Sequence, residues 1–329
     1  MVIIFSQKFE PSTAHVMDWL AYLNKPVIRI NNDDEAASDI DIHISNDYVN
    51  CKFVYKKQLV DISSIDSYWY RRGGLTVKSV DYNKLSRLFS PEFVMPVSSA
   101  LRDELFHFTE FIYLLLRYKK PKIGDPFKCS PNKLIVLHKA ALAGLCIPKT
   151  LLTNSKKSLA LFFSSFLSIV TKPISGGVFI RDRNKTGHYF AYTEIISEDY
   201  LESFASDFFP SKFQEYIDKV LELRIFFLGD VFYSMAIFSQ SDEKTKVDFR
   251  KYNREKPNRT VPYKLPLEIE EKLRTLMFEL ELESGSIDMI VTKDDEYVFL
   301  EVNPVGQFGM VSEPCNYYLE MEIAKYLSK

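Results

Sequence analysis

Three oxygen-bearing side chains near the end of the chain have the types and spacing to bind a divalent cation. The segment 286–304 reads SIDMIVTKDDEYVFLEVNP, two runs rich in β-branched and aromatic residues around the loop KDDE. This pattern predicts a β-hairpin. If Thr292 pairs with Tyr297, Asp288 lies opposite Glu301, where two like charges destabilise the strand pair.

A divalent cation would remove that repulsion. Asp288, Glu301 and Asn303 offer two carboxylates and an amide oxygen, hard ligands suited to Mg²⁺ with substrate phosphates completing its shell. Alternation along the two strands predicts that these ligands share a face, the opposite face being apolar; the other members of the ligand face would be Ile290, Thr292, Tyr297 and Phe299. The alternative is that this face is solvated and the pairing of the carboxylates accidental.

Two lysines and a glycine turn could contact phosphates. Lys172 ends an apolar strand, and Ser175, Gly176 and Gly177 follow it closely. Backbone N–H groups of such a turn, together with an ammonium, can surround phosphate oxygens. Lys133 lies on the next predicted helix upstream. The alternatives are an ordinary hairpin turn for the glycines and a solvated surface lysine for Lys133, and no Walker motif GxxxxGK[ST] occurs in the chain.

Downstream, FQEYIDKVLELRIFF (213–227) resembles a connector leading into a strand. In an extended connector, the backbone of Gln214, Glu215, Tyr216 and Ile217 could bind the edge of an adenine. Arg224 lies within an apolar run, so we expect it to be half-buried and paired, and a structural ion pair is its alternative role. Arg250 belongs to a basic segment, 244–264, with eight Lys or Arg and two acids. Such a segment is often only solvated.

The first 120 residues are predicted to form an α/β domain. Short apolar strands at 2–6, 26–30 and 64–74 alternate with helices at 11–23 and 98–118, which predicts an α/β domain with a largely parallel sheet. KKPKIGDP (119–126) is the predicted linker. Beyond it we expect a helix at 130–145, several strands, a helix at 267–282, the hairpin, and a final helix near 314–327.

Composition excludes several classes of protein. With 329 residues, 46% of them hydrophobic, the chain should form an ordered protein of two domains or lobes. A net charge of −2 argues against a general nucleic-acid binder. The four cysteines form no CxxC pair and indicate reduced thiols in a cytoplasmic protein. No signal peptide or membrane-spanning segment is expected.

These features follow one another along the chain in a fixed order. Lys133 comes first, then Lys172 with its glycine turn, the connector, the strand with Arg224, the basic segment, and last Asp288 with Glu301-x-Asn303. In this order the sequence resembles the ATP-grasp superfamily of ligases, over roughly residues 121–311. SYWYRRGG (67–74), VPYKLP (261–266) and FLEVNPVGQF (299–308) look like the graspetide synthetases, which macrocyclise ribosomally made peptides. The nearest subgroup is the one paired with a radical SPASM-domain enzyme.

The resemblance implies an α/β (α+β) ATP-grasp fold with an N-terminal α/β pre-ATP-grasp-like domain. The expected parts are that domain at 1–120, a central lobe at 121–212 and a C-terminal lobe with the metal site at 213–329. It also assigns roles: phosphate contacts for Lys133 and Lys172, the adenine hinge for 214–217, a ribose contact for Glu222, and Mg²⁺ ligation for the Asp, Glu and Asn. Arg224 and Arg250 would face the γ-phosphate and the acyl phosphate.

The implied reaction uses ATP and Mg²⁺. It turns an Asp or Glu side chain of a precursor peptide, consisting of a leader and an acidic core, into an acyl phosphate. A Thr or Ser hydroxyl then forms an ester, or a Lys amine an amide. A homodimer is expected, with no nucleic-acid or membrane partner.

Three other functions remain open at this stage. The chain could join a free amino acid to a carboxylate. It could be an inactive protein that only binds nucleotide or peptide, although the joint presence of Lys172, Asp288, Glu301 and Asn303 argues against this. An RNA-binding role has little support, because no aromatic RNP-like motif is visible.

Overall fold

The computed structural model describes residues 1–78, 82–175, 179–181, 188–190, 193–240, 255 and 257–329. The chain divides into two compact units, one of residues 1–129 and 318–329 and the other of residues 130–317. No helix in the described ranges has the length and apolar character needed to cross a bilayer.

The first unit is built on a parallel sheet with strand order β2-β1-β6-β7. Its central strand β1 is buried at every position, as expected for a strand covered on both faces. A separate antiparallel sheet, β3-β4-β5, lies within residues 38–61, where the sequence pattern predicts no element. The elements of this unit up to residue 123 are β1 (Val2–Ser6), α1 (Pro11–Tyr22), β2 (Val27–Asn31), β3 (Ser38–Ile44), β4 (Val49–Tyr55), β5 (Gln58–Asp61), β6 (Ser67–Tyr70), α2 (Tyr82–Leu88), α3 (Pro91–Arg117) and β7 (Lys122–Ile123).

Two boundaries in this unit differ from the sequence prediction. Helix α3 begins earlier than residue 98, at Pro91, a residue type well suited to the first turn of a helix. The segment predicted as a linker contains β7, which pairs with β6 and completes the parallel sheet. The two units therefore divide after Cys129.

The second unit contains two larger antiparallel sheets, with strand orders β12-β9-β13-β8 and β16-β15-β14-β17-β18. Its elements are α4 (Lys133–Leu142), β8 (Thr150–Ser155), α5 (Lys156–Ser164), β9 (Ile169–Thr171), β10 (Phe179–Arg181), β11 (His188–Phe190), β12 (Glu194–Ile196), α6 (Glu198–Ser203), β13 (Asp207–Glu215), β14 (Leu221–Leu228), β15 (Val231–Phe238), β16 (Arg259–Tyr263), α7 (Leu267–Glu279), β17 (Ser284–Val291), β18 (Tyr297–Asn303) and α8 (Gly309–Cys315).

Each of these sheets buries one face against helices. The five-stranded sheet packs Ile225, Ile287 and Phe299 against apolar residues of α4 and α7. The four-stranded sheet packs Ile169 and Phe213 against α5 and α6. The other face of the five-stranded sheet carries Arg224 and Asp288, and Phe226 on this face packs against Phe308.

The predicted C-terminal helix is two helices, α8 and then α9 (Leu319–Leu327), which returns to the first unit. Asn316 and Tyr318 between them have φ angles of 53° and 51°. A left-handed residue ends a helix, and asparagine tolerates that conformation better than most residues. The apolar pattern alone did not reveal this break.

Candidate active site

Asp288 and Glu301 face each other across the β17–β18 hairpin, as the sequence predicts. The register that brings them together is different, because Val291 pairs with Tyr297 and Met289 with Phe299. The predicted pairing of Thr292 with Tyr297 is therefore wrong. Leu300 has no partner and forms a β-bulge, which shifts the register by one residue before Glu301.

The bulge also changes which side chains share a face. One extra residue inverts the alternation, so Tyr297 and Phe299 lie on the core side and not beside the carboxylates. Phe299 is fully buried in the apolar cluster that contains Met289, and Tyr297 packs against that cluster. The predicted composition of the ligand face was wrong at these two residues.

Asp288 is bound by an arginine on the neighbouring strand. Arg224 of β14 pairs with Asp288 of β17, and its Nη1 donates to both carboxylate oxygens, at 2.5 and 2.6 Å. The two side chains are 12% and 17% exposed. The sequence predicted a half-buried, paired Arg224, and the structure identifies Asp288 as its partner. Within the described residues, Nε of Arg224 is buried without a hydrogen-bond partner.

Glu301 is bound by a lysine from the start of α4. Lys133 Nζ lies 2.7 Å from Glu301 Oε2, and both side chains are about a third exposed, at 31% and 28%. The helix begins here because the Asn132 side chain accepts hydrogen bonds from the N–H groups of Leu134 and Ile135. Each of the two facing carboxylates is thus bound by a basic side chain from a different element.

Asn303 ends β18 and is exposed. Its Oδ1 accepts a hydrogen bond of 3.2 Å from Val305 N–H, and Gly306 N–H donates to Asn303 O at 3.0 Å. A Cβ atom at Gly306 would overlap the Ser286 side chain. The tight turn after β18 therefore requires glycine at this position, and it holds Asn303 beside the strand that carries Asp288.

The donor set fits Mg²⁺ with ligands from a substrate. Among the described residues, no group of three or more His, Cys, Asp or Glu could hold a metal ion alone. Two carboxylates and an amide are hard oxygen donors, and further oxygens would have to come from phosphates or water. Each carboxylate is already paired with a basic side chain, Asp288 with Arg224 and Glu301 with Lys133, so its charge is balanced before any metal ion binds.

The predicted adenine hinge continues from β13. Gln214 is buried, and its Nε2 donates to Thr150 Oγ1 at 2.8 Å. The N–H groups of Glu215 and Tyr216 donate to the carbonyl oxygens of Lys149 and Ser168. Two of the four backbone N–H groups of this segment are therefore already engaged within the fold.

Glu222 lies at the start of β14 and is buried, at 6% exposure. Its carboxylate accepts a hydrogen bond of 2.6 Å from Ser239 and forms an ion pair of 3.0 Å with Lys219. Burial raises the pKa of Glu222, while Lys219 and Ser239 act in the opposite direction. These contacts hold the carboxylate in place.

Lys172 follows β9 directly and is partly buried in the same unit. Gly176 and Gly177 lie outside the described residues, as does Arg250. Their predicted roles stay predictions.

One lysine was missed in the sequence. Lys212 of β13 is only 2% exposed, and burial lowers its pKa to about 7, with Lys172 and Lys133 acting in the same direction. The signal was present in KFQ (212–214), because a polar–apolar–polar alternation in a strand places Lys212 and Gln214 on the face opposite Phe213.

Comparison with solved structures identifies the fold of the chain. No protein-family model matches the chain, and no curated protein matches it significantly. The macrocyclase MdnC from Microcystis aeruginosa MRC, solved with its precursor peptide MdnA, is 26% identical over 100% of this chain and 99% of its own, with a TM-score of 0.76. The Chryseobacterium gregarium RiPP-associated ATP-grasp ligase, solved with ADP and with a leader and core peptide, is 24% identical over 99% and 95%, with a TM-score of 0.77.

The chain has the fold of the ATP-grasp ligases. A third structure, the ATP-grasp ligase PsnB with minimal precursor, Mg and ADP, is 14% identical over 99% of this chain and 96% of its own, with a TM-score of 0.70. The predicted fold class and the resemblance to graspetide synthetases are thereby confirmed. Two of the predicted phosphate and metal residues, Lys133 and Glu301, are in contact in this fold.

Proposed function

We propose that the chain is an ATP-dependent macrocyclase that acts on a ribosomally made precursor peptide. The observation that carries this proposal is the alignment of the whole chain with a peptide-bound macrocyclase. The pair of facing carboxylates, each bound by a basic side chain, supports it, because phosphoryl transfer depends mainly on positioning and charge.

In the first step, an oxygen of an Asp or Glu side chain of the peptide attacks the γ-phosphorus of ATP. The bond from that phosphorus to the β-phosphate oxygen breaks, which leaves an acyl phosphate and ADP. Lys133 and Lys172 would bind the phosphates, with Ile217 at the adenine and Glu222 at the ribose. Arg224 and Arg250 would stabilise the negative charge on the transferred group.

In the second step, a Thr or Ser hydroxyl, or a Lys amine, of the same peptide attacks the acyl carbon. The bond from that carbon to the phosphate oxygen breaks, inorganic phosphate leaves, and the nucleophile loses its proton. The product is an ester or an amide ring. No nucleophile from the protein takes part.

Asp288, Glu301 and Asn303 would hold Mg²⁺, which when bound neutralises charge on the phosphates. Arg224 lies where it can keep Asp288 oriented before the ion arrives, since its Nη1 already contacts both carboxylate oxygens.

Further parts of the proposal concern partners. The basic segment 244–264 would bind the acidic core of the peptide by ion pairs, and the leader would bind elsewhere on the chain. We also propose that the protein forms a homodimer and lies in the cytoplasm. Its partner enzyme would be a radical SPASM-domain protein. The division into residues 1–120, 121–212 and 213–329 also remains a proposal.

The test is the intact mass of the precursor peptide encoded beside this gene, after incubation with the protein, ATP and Mg²⁺. Loss of one water per bond, absent with the Glu301→Gln variant, supports macrocyclisation, and mild alkaline hydrolysis separates ester from amide. An unchanged peptide mass, with ADP released only on addition of free amino acids, would contradict it and favour a small-molecule ligase. No mass change and no ADP would leave a binding protein.

A further inference from the structure

Lys212 lies in the interior of the second unit on a face that the helices do not cover. Its neighbour Phe213 is fully buried against α5 and α6. Because successive side chains of a strand point to opposite faces, Lys212 is directed to the other side of the sheet, as is Gln214. Lys212 is 2% exposed and Gln214 is 2% exposed, so this polar face is enclosed.

Lys212 pairs with the apolar Leu152 of β8 on one side, and charged residues lie on its other side. In the β13–β9 ladder Phe213 pairs with Thr171, and continuing this register places Lys212 beside Lys172. Thr171 Oγ1 also donates to Lys212 O at 3.0 Å. Lys133 and Glu301, which form their own ion pair, are close enough to influence the Lys212 charge.

Burial of the Lys212 ammonium lowers the stability of the folded protein when no ligand is bound. A buried ammonium normally has an acid or several acceptors beside it. Among the described residues, no hydrogen bond or ion pair is made by the Lys212 ammonium, and its neighbours are two lysines and one glutamate. Glu301, the acid among these neighbours, is already bound by Lys133. An anion is the ligand that would stabilise the Lys212 ammonium.

We propose that Lys212 is a third lysine that binds the phosphate chain of the nucleotide, together with Lys133 and Lys172. This inference rests on the proposed function, since it takes the anion to be the phosphates of ATP or ADP. Burial of the Lys212 ammonium beside two other lysines then contributes to affinity and not to folding. Its lowered pKa, about 7, agrees with a site arranged for an anion that arrives later.

The test is calorimetric binding of ADP with Mg²⁺ to the whole protein and to the Lys212→Met, Lys212→Arg and Lys157→Met variants. Lys157 is an exposed lysine of α5 in the same unit and serves as the matched control. A charged hydrogen bond corresponds to about a 10- to 100-fold change in affinity. We expect Lys212→Met to lose that much for ADP, Lys212→Arg to lose less, and Lys157→Met to match the wild type.

Adenosine, which has no phosphates, distinguishes a phosphate contact from a damaged site. We expect Lys212→Met to bind adenosine as the wild type does. Its melting temperature without ligand should also rise, because methionine replaces a buried ammonium that has no partner in the described part of the chain. A structural lysine would give the opposite shift.

Equal ADP affinity of the wild type and Lys212→Met would overturn the inference and leave the proposed function intact. Equal losses for ADP and adenosine would overturn it too. Failure of the wild type to bind ADP would overturn the proposed function itself. If Lys212→Met does not fold, Lys212→Gln is measured against the same outcomes.

Discussion

Arg224 and Asp288 occupy paired positions on adjacent antiparallel strands, and one nitrogen of the guanidinium reaches both carboxylate oxygens. On its other side, Asp288 faces Glu301. Asp288, a predicted metal ligand, is therefore already bound by the Arg224 guanidinium. This charge balance allows two carboxylates to face each other in a half-buried hairpin, and it leads to the first two predictions.

Asp288→Asn and Glu301→Gln should each lower Mg²⁺-dependent turnover on the order of 100-fold or more, because each removes a charged ligand while keeping the shape of the side chain. The measurement is peptide cyclisation and ADP release at several Mg²⁺ concentrations. Asp294→Asn, in the exposed hairpin loop, is the matched control and should be fully active. Unchanged turnover in both site variants would refute the metal assignment.

Arg224→Ala should lower the free energy of unfolding by about 1–3 kcal/mol, because it leaves the mostly buried Asp288 carboxylate without its guanidinium. Turnover should also be lost. Denaturant unfolding measures the first effect, and Arg274→Ala, at a partly exposed arginine of α7 that pairs with the exposed Asp230, is the control. A stable but inactive Arg224→Ala protein would indicate that the ion pair matters for chemistry alone.

Phe299→Ala should lower the free energy of unfolding by about 3–5 kcal/mol, because Phe299 is fully buried in the apolar core. The exposed Phe278→Ala in α7 should stay within about 0.5 kcal/mol of the wild type. This comparison tests the bulge at Leu300. In the unbulged register Phe299 would lie beside the carboxylates, and its loss would affect activity more than stability.

Lys212 should make stability depend on pH in the absence of nucleotide and Mg²⁺. Its pKa is about 7 in the folded protein and 10.5 when unperturbed, with Lys172, Lys133 and Glu301 facing it. Between these values the unfolded chain binds more protons than the folded one, so stability rises with pH in this window. The melting temperature of the wild type should therefore approach that of Lys212→Met between pH 7 and 10. A difference independent of pH would show that the folded protein keeps Lys212 charged.

Much of the site could be predicted from local patterns. The hairpin follows from two β-rich runs around KDDE, and the pairing of Asp288 with Glu301 was predicted although the assumed register was wrong at Thr292. The error came from Leu300, because a β-bulge leaves no mark in the alternation when both faces of a strand carry apolar residues. Lys212 was missed for a related reason. A lysine usually lies in solvent, and the burial of Lys212 arises only when β13 is placed between β9 and β8.

The sequence by itself determined the order of the elements, the chemistry of the metal-binding side chains and the resemblance to ATP-grasp ligases, since these depend on residue type and on spacing within one or two elements. The tertiary structure decided which charges meet. Arg224 with Asp288 and Lys133 with Glu301 are 64 and 168 residues apart in the chain. Strand pairing and helix packing bring such partners together. No local pattern encodes the distance between the two side chains or the burial of each.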